Sequence, residues 1–373
     1  MNKYLYSRRQ FTSSLIYGTL LSTTSSSFLY DIKSFNELKW INVEDFGVEG
    51  KGWSDTESFY DRLPQKARGI VRDPVWELSK DSAGMMFRFE TDSPNIHVRY
   101  SLRKEELAMP HMPATGVSGL DLYAKDGYGI DKWVSVVFPK EQNIETPIAE
   151  NLSQGKKIYS LYLPLYNGVN SLEIGVEPNS LFNPISPRKE KPILFYGTSI
   201  MQGACASRPG LAIPAILGRR FNRPTINLGF SGNGRMEPEV ASLLAEQDPC
   251  AFVIDCLPNM YDEMITSRTE PLVQQLRDMH KETPILLVED RSFTNTPFFP
   301  KREEYHYKNR VALRSEYEKL RNLGIENLYY LKGDHLLGLD GEGATDGSHP
   351  NDLGMVRYAD AYEPVLRDML DEY

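Results

Sequence analysis

Cysteine is scarce in this chain: 373 residues contain only Cys205, Cys250 and Cys256. Three are too few for a disulfide framework. Cys250 and Cys256 flank Ala251–Asp255, which has the profile of a strand; if extended, it holds their α-carbons ~20 Å apart, beyond bridging distance. Free, mostly buried thiols are expected, and Cys205 is not taken as a nucleophile. Long apolar runs are also missing. None approaches the roughly 20 residues of a membrane-spanning helix, so no stable membrane insertion is expected. Positive charge is in the minority, 42 Lys and Arg against 51 Asp and Glu, for a net charge of −9. No long basic run stands against that balance, which argues against a nucleic-acid partner. What is present is a 40% hydrophobic and 25% charged composition, enough to bury a real core. The length suggests two domains and an N-terminal addition.

That addition covers residues 1–30. Ser7-Arg8-Arg9-Gln10-Phe11 precedes a weakly apolar, Ser/Thr-rich stretch, a pattern that resembles a twin-arginine bacterial export signal. An amphipathic or disordered start is the plainer alternative. No clean small-x-small cleavage site marks the mature start. An exported, periplasmic or extracellular protein is expected.

Residues 35–186 read as β. Met85–Glu90, Ile96–Ser101, Trp133–Val137, Lys157–Leu163 and Ser171–Val176 alternate or run apolar at strand length, with turn signals such as Asp126-Gly127 and Asn167-Gly168 between them. Short strands at this spacing predict an all-β sandwich or jelly-roll-like domain. Pro178–Arg188, with Pro178, Pro184 and Pro187, reads as a linker. Within the β region stands Gly119-Leu120-Asp121-Leu122-Tyr123, which on propensity alone is a strand with Leu120 and Leu122 facing the core.

From residue 190 to 373 strands and helices alternate. Pro192–Tyr196, Thr225–Leu228, Ala251–Cys256, Pro284–Glu289 and Asn327–Leu331 read as strands. Arg208–Phe221, Glu237–Glu246, Glu270–His280, Tyr305–Leu323 and Gly354–Leu370 read as helical, the last expected to be kinked or split at Pro364. This alternation predicts an α/β domain with a parallel sheet covered by helices. In such sheets, function gathers beyond the carboxyl ends of the strands.

The residues able to do chemistry fall there. Pro192–Tyr196 empties into Gly197-Thr198-Ser199-Ile200-Met201-Gln202-Gly203, exposing a serine at the sheet edge; on its own this could be a turn serine capping a helix. Near the C-terminus stands Asp346-Gly347-Ser348-His349-Pro350. A histidine can take the proton of a serine hydroxyl, and an acidic partner on its other nitrogen fixes the tautomer. Taken alone, that Asp could simply cap the helix opening near Asp352. Between them lie Asn227-Leu228-Gly229-Phe230-Ser231-Gly232-Asn233 and Asp255-Cys256-Leu257-Pro258-Asn259. Their backbone N–H groups and the Asn259 amide are of the kind that stabilises an oxyanion.

Together these four segments resemble the SGNH (GDSL-type) hydrolase superfamily over about Lys191–Tyr373. Gly119–Tyr123 resembles the signature of the small GxDLY β domain found ahead of such esterase domains. The resemblance implies a flavodoxin-like three-layer fold with Ser199 as nucleophile, His349 as general base and Asp346 orienting it. It also implies an oxyanion hole of Ser199, Gly232 and Asn259. Thr198 stands where the family name implies Asp, Leu257 replaces a glycine and Met260 an aspartate, so the resemblance is to a divergent branch. The activity implied is hydrolysis of short O-acyl esters, most plausibly acetyl, on a carbohydrate, with no metal or organic cofactor. A small-molecule or glycan ester is the expected partner. A non-catalytic glycan-binding protein with a degenerate hydrolase domain is the competing reading. Asp334, His335, Asp340, Glu342 and Asp346 crowd one Gly-rich stretch, but their spacing does not fit an EF-hand, and no metal site is expected there.

Overall fold

The computed structural model describes residues 37–371; the export-signal reading of residues 1–30 lies outside them. Nine strands build the first part: β1 (Lys39–Asn42), β2 (Met86–Thr91), β3 (Ile96–Leu102), β4 (Asp121–Lys125), β5 (Asp131–Val136), β6 (Asn143–Ala149), β7 (Lys157–Tyr162), β8 (Val169–Val176) and β9 (Phe182–Ile185). They form two antiparallel sheets, ordered β1-β8-β3-β6 and β5-β4-β7-β2-β9. The inward side chains alternate along each strand, and Val98, Tyr100, Leu120, Leu122, Leu161 and Ile174 meet in one core between the sheets. This is a sandwich, as the alternation predicts. The stretch Pro178–Arg188 is more than a linker: Phe182–Ile185 pairs with β2, and Pro184 is tolerated because β9 is an edge strand. Two short helices, α1 (Asp73–Ser79) and α2 (Ala114–Val117), interrupt the strands.

The second part carries five parallel strands: β10 (Ile193–Gly197), β11 (Thr225–Gly229), β12 (Ala251–Asp255), β13 (Ile285–Val288) and β14 (Leu328–Leu331), ordered β11-β10-β12-β13-β14. Every residue of β10, β12 and β13 is buried, which is why they read as continuous apolar runs. The helices are α3 (Ser199–Gln202), α4 (Ile213–Arg220), α5 (Pro238–Ala245), α6 (Asp262–Met279), α7 (Pro300–Asn322) and α8 (Asp352–Met369). Successive side chains of each strand go to opposite faces. Ile193, Phe195 and Val253 pack with α4 and α8, whereas Leu194, Tyr196 and Ile254 pack with α5, α6 and α7. The result is the three-layer α/β arrangement. The last helix is not split: Pro364 lies inside a continuous α8. None of the helices among the described residues is long and apolar enough to cross a membrane.

Residues ahead of the parallel sheet also contribute to its layers. Trp53, Leu63, Val71, Val75 and Trp76 pack into the core of the α5–α7 face rather than into the sandwich. The β region therefore does not end at a sequence boundary, because this segment buries its apolar side chains against the neighbouring sheet.

Candidate active site

The parallel register brings the functional segments to one level. Gly197, the last residue of β10, pairs with Gly229 of β11 and with Asp255 of β12. Ser199, the Phe230–Gly234 turn and the Leu257–Asn259 turn thus leave the sheet side by side at its carboxyl edge. Close packing requires glycine here. A Cβ on Gly229 would lie 2.1 Å from the Gln202 nitrogen, and one on Gly234 would lie 1.9 Å from the Gly197 oxygen. The end of β11 is thus pressed against the helix that the serine opens, and the turn after it against the end of β10.

Ser199 opens α3, with Thr198 as N-cap accepting from the Ile200 N–H at 3.3 Å. Capping is what Thr198 does where the family pattern has Asp. Ser199 is 7% exposed. Its Oγ stands 2.9 Å from His349 Nε2, and His349 Nδ1 stands 2.7 Å from Asp346 Oδ2. Asp346 Oδ1 also accepts the backbone N–H groups of Ser348 (2.9 Å) and His349 (2.8 Å). Burial pushes the Asp346 carboxyl up, but these hydrogen bonds and the adjacent imidazole outweigh it and hold the group down at about 2. The carboxylate therefore stays ionised across the working range. Asp346 does not cap the next helix; Asn351 does, accepting from the Gly354 N–H at 3.0 Å.

The histidine loop is braced from behind. Gly347 turns with φ +88° and its carbonyl accepts from Thr294 N–H at 2.9 Å. Buried Arg291 donates to the Ser348 hydroxyl, and it is itself paired with Asp290, which holds His306 Nδ1 at 2.7 Å. The Asn259 amide is assigned the orientation that satisfies its neighbours, in which Oδ1 accepts from the N–H groups of Asn233 (3.0 Å) and Gly234 (3.3 Å) and Nδ2 is turned away from them. Gly232, in the same turn, has φ +69° and open space where a Cβ would stand. In the Gly-rich stretch before the histidine, Asp340 pairs with Arg357 at 2.7 Å and Asp334 with Arg310 at 2.6 Å.

The structure also shows what the residues ahead of the parallel sheet do for the site, which sequence reasoning missed. Tyr166 donates its hydroxyl to the Ser199 carbonyl at 3.2 Å. Gln202 donates to Leu165 O (3.0 Å) and to buried Asp81 (3.2 Å), and accepts from the Ser231 N–H (3.0 Å). Arg72 donates to Asn233 Oδ1 at 2.8 Å. The Gly119–Tyr123 motif is explained in the same way. A Cβ on Gly119 would lie 2.4 Å from Thr115 O, Leu120 and Leu122 are fully buried, and Asp121 leaves the sandwich toward the hydrolase layer. There Asp121 accepts from Trp133 Nε1 (2.9 Å), Arg208 (3.0 Å) and the Gly210 N–H (2.8 Å), while Tyr123 OH meets Arg208 at 2.5 Å. The motif thus clamps the loop that follows the serine helix. That loop in turn holds α8, through Ser207 to Asp352 at 2.6 and 2.8 Å. His111 and Cys205 also come beside His349, the His111 ring centroid lying 5.7 Å from that of His349. The Gly119–Tyr123 motif was visible in the sequence; the spacing of the other residues along the chain carried no signal for these contacts.

One buried acid in this layer has a pH consequence. Asp255, at the end of β12, accepts the Tyr362 hydroxyl at 2.6 Å. Burial pushes its carboxyl up to about 7, against about 3.9 in an unfolded chain. A raised folded-state value means the contribution to stability is complete below pH ~4 and is lost as pH rises through ~7. The stability of Asp255→Asn relative to the unmodified protein should therefore increase by up to roughly 1.4 kcal/mol per pH unit across that window. Denaturant melts at pH 4, 5.5 and 7 measure this, and a pH-independent difference would refute it.

Comparison with known proteins agrees with the fold and names the family. Residues 190–367 match the GDSL-like Lipase/Acylhydrolase family. Residues 38–182 match the GxDLY family, the N-terminus of SGNH-hydrolase-type esterases. A crystal structure described as a GDSL-like lipase from Bacteroides ovatus ATCC 8483 is 36% identical, with TM-score 0.86, covering 90% of this chain and 98% of that one. The salicylyl-acyltransferase SsfX3 from a tetracycline biosynthetic pathway shares the fold at 19% identity and TM-score 0.71, covering 89% and 97%. An acetyl xylan esterase from the rumen bacterium Butyrivibrio proteoclasticus shares it at 10% identity and TM-score 0.56, covering 90% and 99%. No curated protein matches the chain. With a matching sandwich, a matching α/β layer and a Ser-His-Asp chain at the strand ends, this protein belongs to the GDSL-like (SGNH) hydrolase family with a GxDLY N-terminal region and is a carboxylic ester hydrolase.

Proposed function

We propose that the protein removes short O-acyl groups, acetyl foremost, from a carbohydrate, by a two-step acyl transfer through Ser199. The observation that carries the mechanism is the continuous chain from Ser199 Oγ through His349 to Asp346, at 2.9 and 2.7 Å. His349 Nε2 takes the Ser199 proton as Oγ attacks the ester carbonyl. Asp346 holds the imidazolium in orientation. The backbone N–H groups of Ser199 and Gly232 and the Asn259 amide N–H receive the oxyanion. The tetrahedral intermediate collapses, the C–O bond to the alcohol breaks, and His349 returns its proton to the leaving oxygen. Water, deprotonated by His349, then attacks the acyl-Ser199 ester and releases the acid.

The acyl and alcohol parts rest on different support. A carbohydrate alcohol is supported by the fold shared with carbohydrate esterases and by the twin-arginine-like start of the chain, which fits an exported enzyme. The sequence has no long apolar lid segment, which weighs mildly against long-chain acyl groups and so favours a short one. The test uses the full-length protein on chromogenic acetate, butyrate and octanoate esters, then on acetylated oligosaccharides. Acetate should exceed octanoate in kcat/KM by about tenfold or more, as loss of a matched pocket implies, and acetate should be released from the oligosaccharides. A preference for octanoate would overturn the short-chain reading. Glycan binding unaffected by Ser199→Ala, with no ester turned over, would replace the catalytic reading with a binding one.

A further inference from the structure

Beside the catalytic histidine the fold gathers two residues that the reaction does not use. His111 sits at the tip of a tight turn between β3 and α2, closed by reciprocal backbone hydrogen bonds between Met109 and Met112 at 2.9 and 3.0 Å. The imidazole is on the exposed surface. Cys205 follows α3 in a left-handed conformation, φ +68°, which a non-glycine residue seldom adopts. It is buried, and burial pushes its thiol up to about 11. One donor atom each from His111, Cys205 and His349 lie within 4.8 Å of one another.

We propose that His111, Cys205 and His349 form an inhibitory site for a zinc-like divalent cation, whose occupancy blocks the esterase. Two imidazoles and a thiolate are the donors that borderline-soft Zn²⁺ prefers, and they discriminate against Mg²⁺ and Ca²⁺, which want oxygen. Three protein ligands leave the fourth tetrahedral position for water or for the Ser199 hydroxyl. Bonds of about 2.0–2.3 Å require the three donors to close by roughly 1 Å, a movement open to the exposed His111 side chain. His349 offers Nε2, because Nδ1 is held by Asp346 at 2.7 Å. A carboxylate behind a ligating histidine is also the support that metal sites use. On binding, the Cys205 S–H bond breaks, a metal–sulfur bond forms and the proton passes to solvent, with no change of oxidation state. The Nε2 lone pair engaged by the metal is the one that must accept the Ser199 proton, so the bound ion and catalysis are mutually exclusive.

The proposal rests on His349 being the general base, and the experiment keeps the two readings separate. Co²⁺ is titrated into the full-length protein and followed by its visible absorption, while Zn²⁺ is titrated into the acetate-ester assay. One equivalent of Co²⁺ should produce a sulfur-to-cobalt charge-transfer band that Cys205→Ala and Cys205→Ser both lack. His111→Ala, a change at an exposed turn, should weaken binding by about tenfold or more. Zn²⁺ should inhibit turnover, a chelator should restore it, and His111→Ala should raise the inhibitory concentration by the same factor. The absence of the band in the intact protein, or Zn²⁺ inhibition equal in His111→Ala and the unmodified enzyme, would overturn the metal site. Should the intact protein turn over no ester at all, the esterase reading fails and the cobalt spectrum still decides the site.

Discussion

Replacing Ser199 with alanine is expected to lower ester turnover by about 10⁴-fold or more, with the fold intact. In the proposed mechanism the oxygen removed is the atom that forms the acyl bond, and nothing among its hydrogen-bonding neighbours can take its place: Tyr166 and the Gly203 and Ala204 N–H groups all bind the Ser199 carbonyl, not its side chain. His349→Ala should cost a comparable factor. Because the two residues act as one unit, the double variant should be no worse than either single one. Asp346→Ala should be less severe, since it removes the orienting carboxylate but not the base. The check is kcat on a chromogenic acetate with thermal unfolding recorded for each variant. A loss of only a few-fold for Ser199→Ala, or a double variant whose losses multiply, would dismiss the triad.

Arg62→Met is the substitution expected to cost most in stability, about 3–5 kcal/mol. Arg62 is 2% exposed and lies between the segment ahead of the parallel sheet and the end of β11. Its guanidinium donates to the carbonyls of Leu78 (2.6 Å), Asp81 (2.8 Å), Gly229 (2.7 Å) and Asn227 (3.1 Å), with Cζ 5.0 Å from the Phe230 ring centroid. Burial pulls it down to about 10, still protonated at neutral pH. Methionine matches the stem but strands four buried acceptors, each with a desolvation penalty of about 1–3 kcal/mol that local rearrangement relieves in part. Arg62→Lys keeps the charge but not the planar fork, and should recover less than half of the loss. Denaturant unfolding measures both. Because Asn227 and Gly229 end the strand that leads into the turn carrying Gly232, kcat should fall as well in the folded fraction of Arg62→Met. A stability change below about 1 kcal/mol would show that these carbonyls find other partners.

Much of the chain was legible before folding, and the reason is local. Buried parallel strands need uninterrupted apolar residues, so β10, β12 and β13 announced themselves, and helices between them left their periodicity. The candidate residues sit in loops that follow the strands of the parallel sheet. Ser199, Gly232, Asn259 and the Asp346–His349 pair were therefore readable as motifs, and the register Gly197–Gly229–Asp255 brings three of those segments together. The edge strands β1, β6 and β9 were not read, because an edge strand buries less and alternates weakly.

From its sequence alone the protein has an α/β hydrolase layer, a β region before it, and the residue types of a serine esterase in the right order. Only the tertiary structure decides what holds them. Arg62 reaches Asn227 across 165 positions, Asp121 reaches Gly210 across 89, and Tyr166 reaches Ser199 across 33. Such pairings leave no periodicity or spacing to read, since each is made by side chains meeting after two sheets have packed. The same packing, not any motif, sets His111 and Cys205 beside His349.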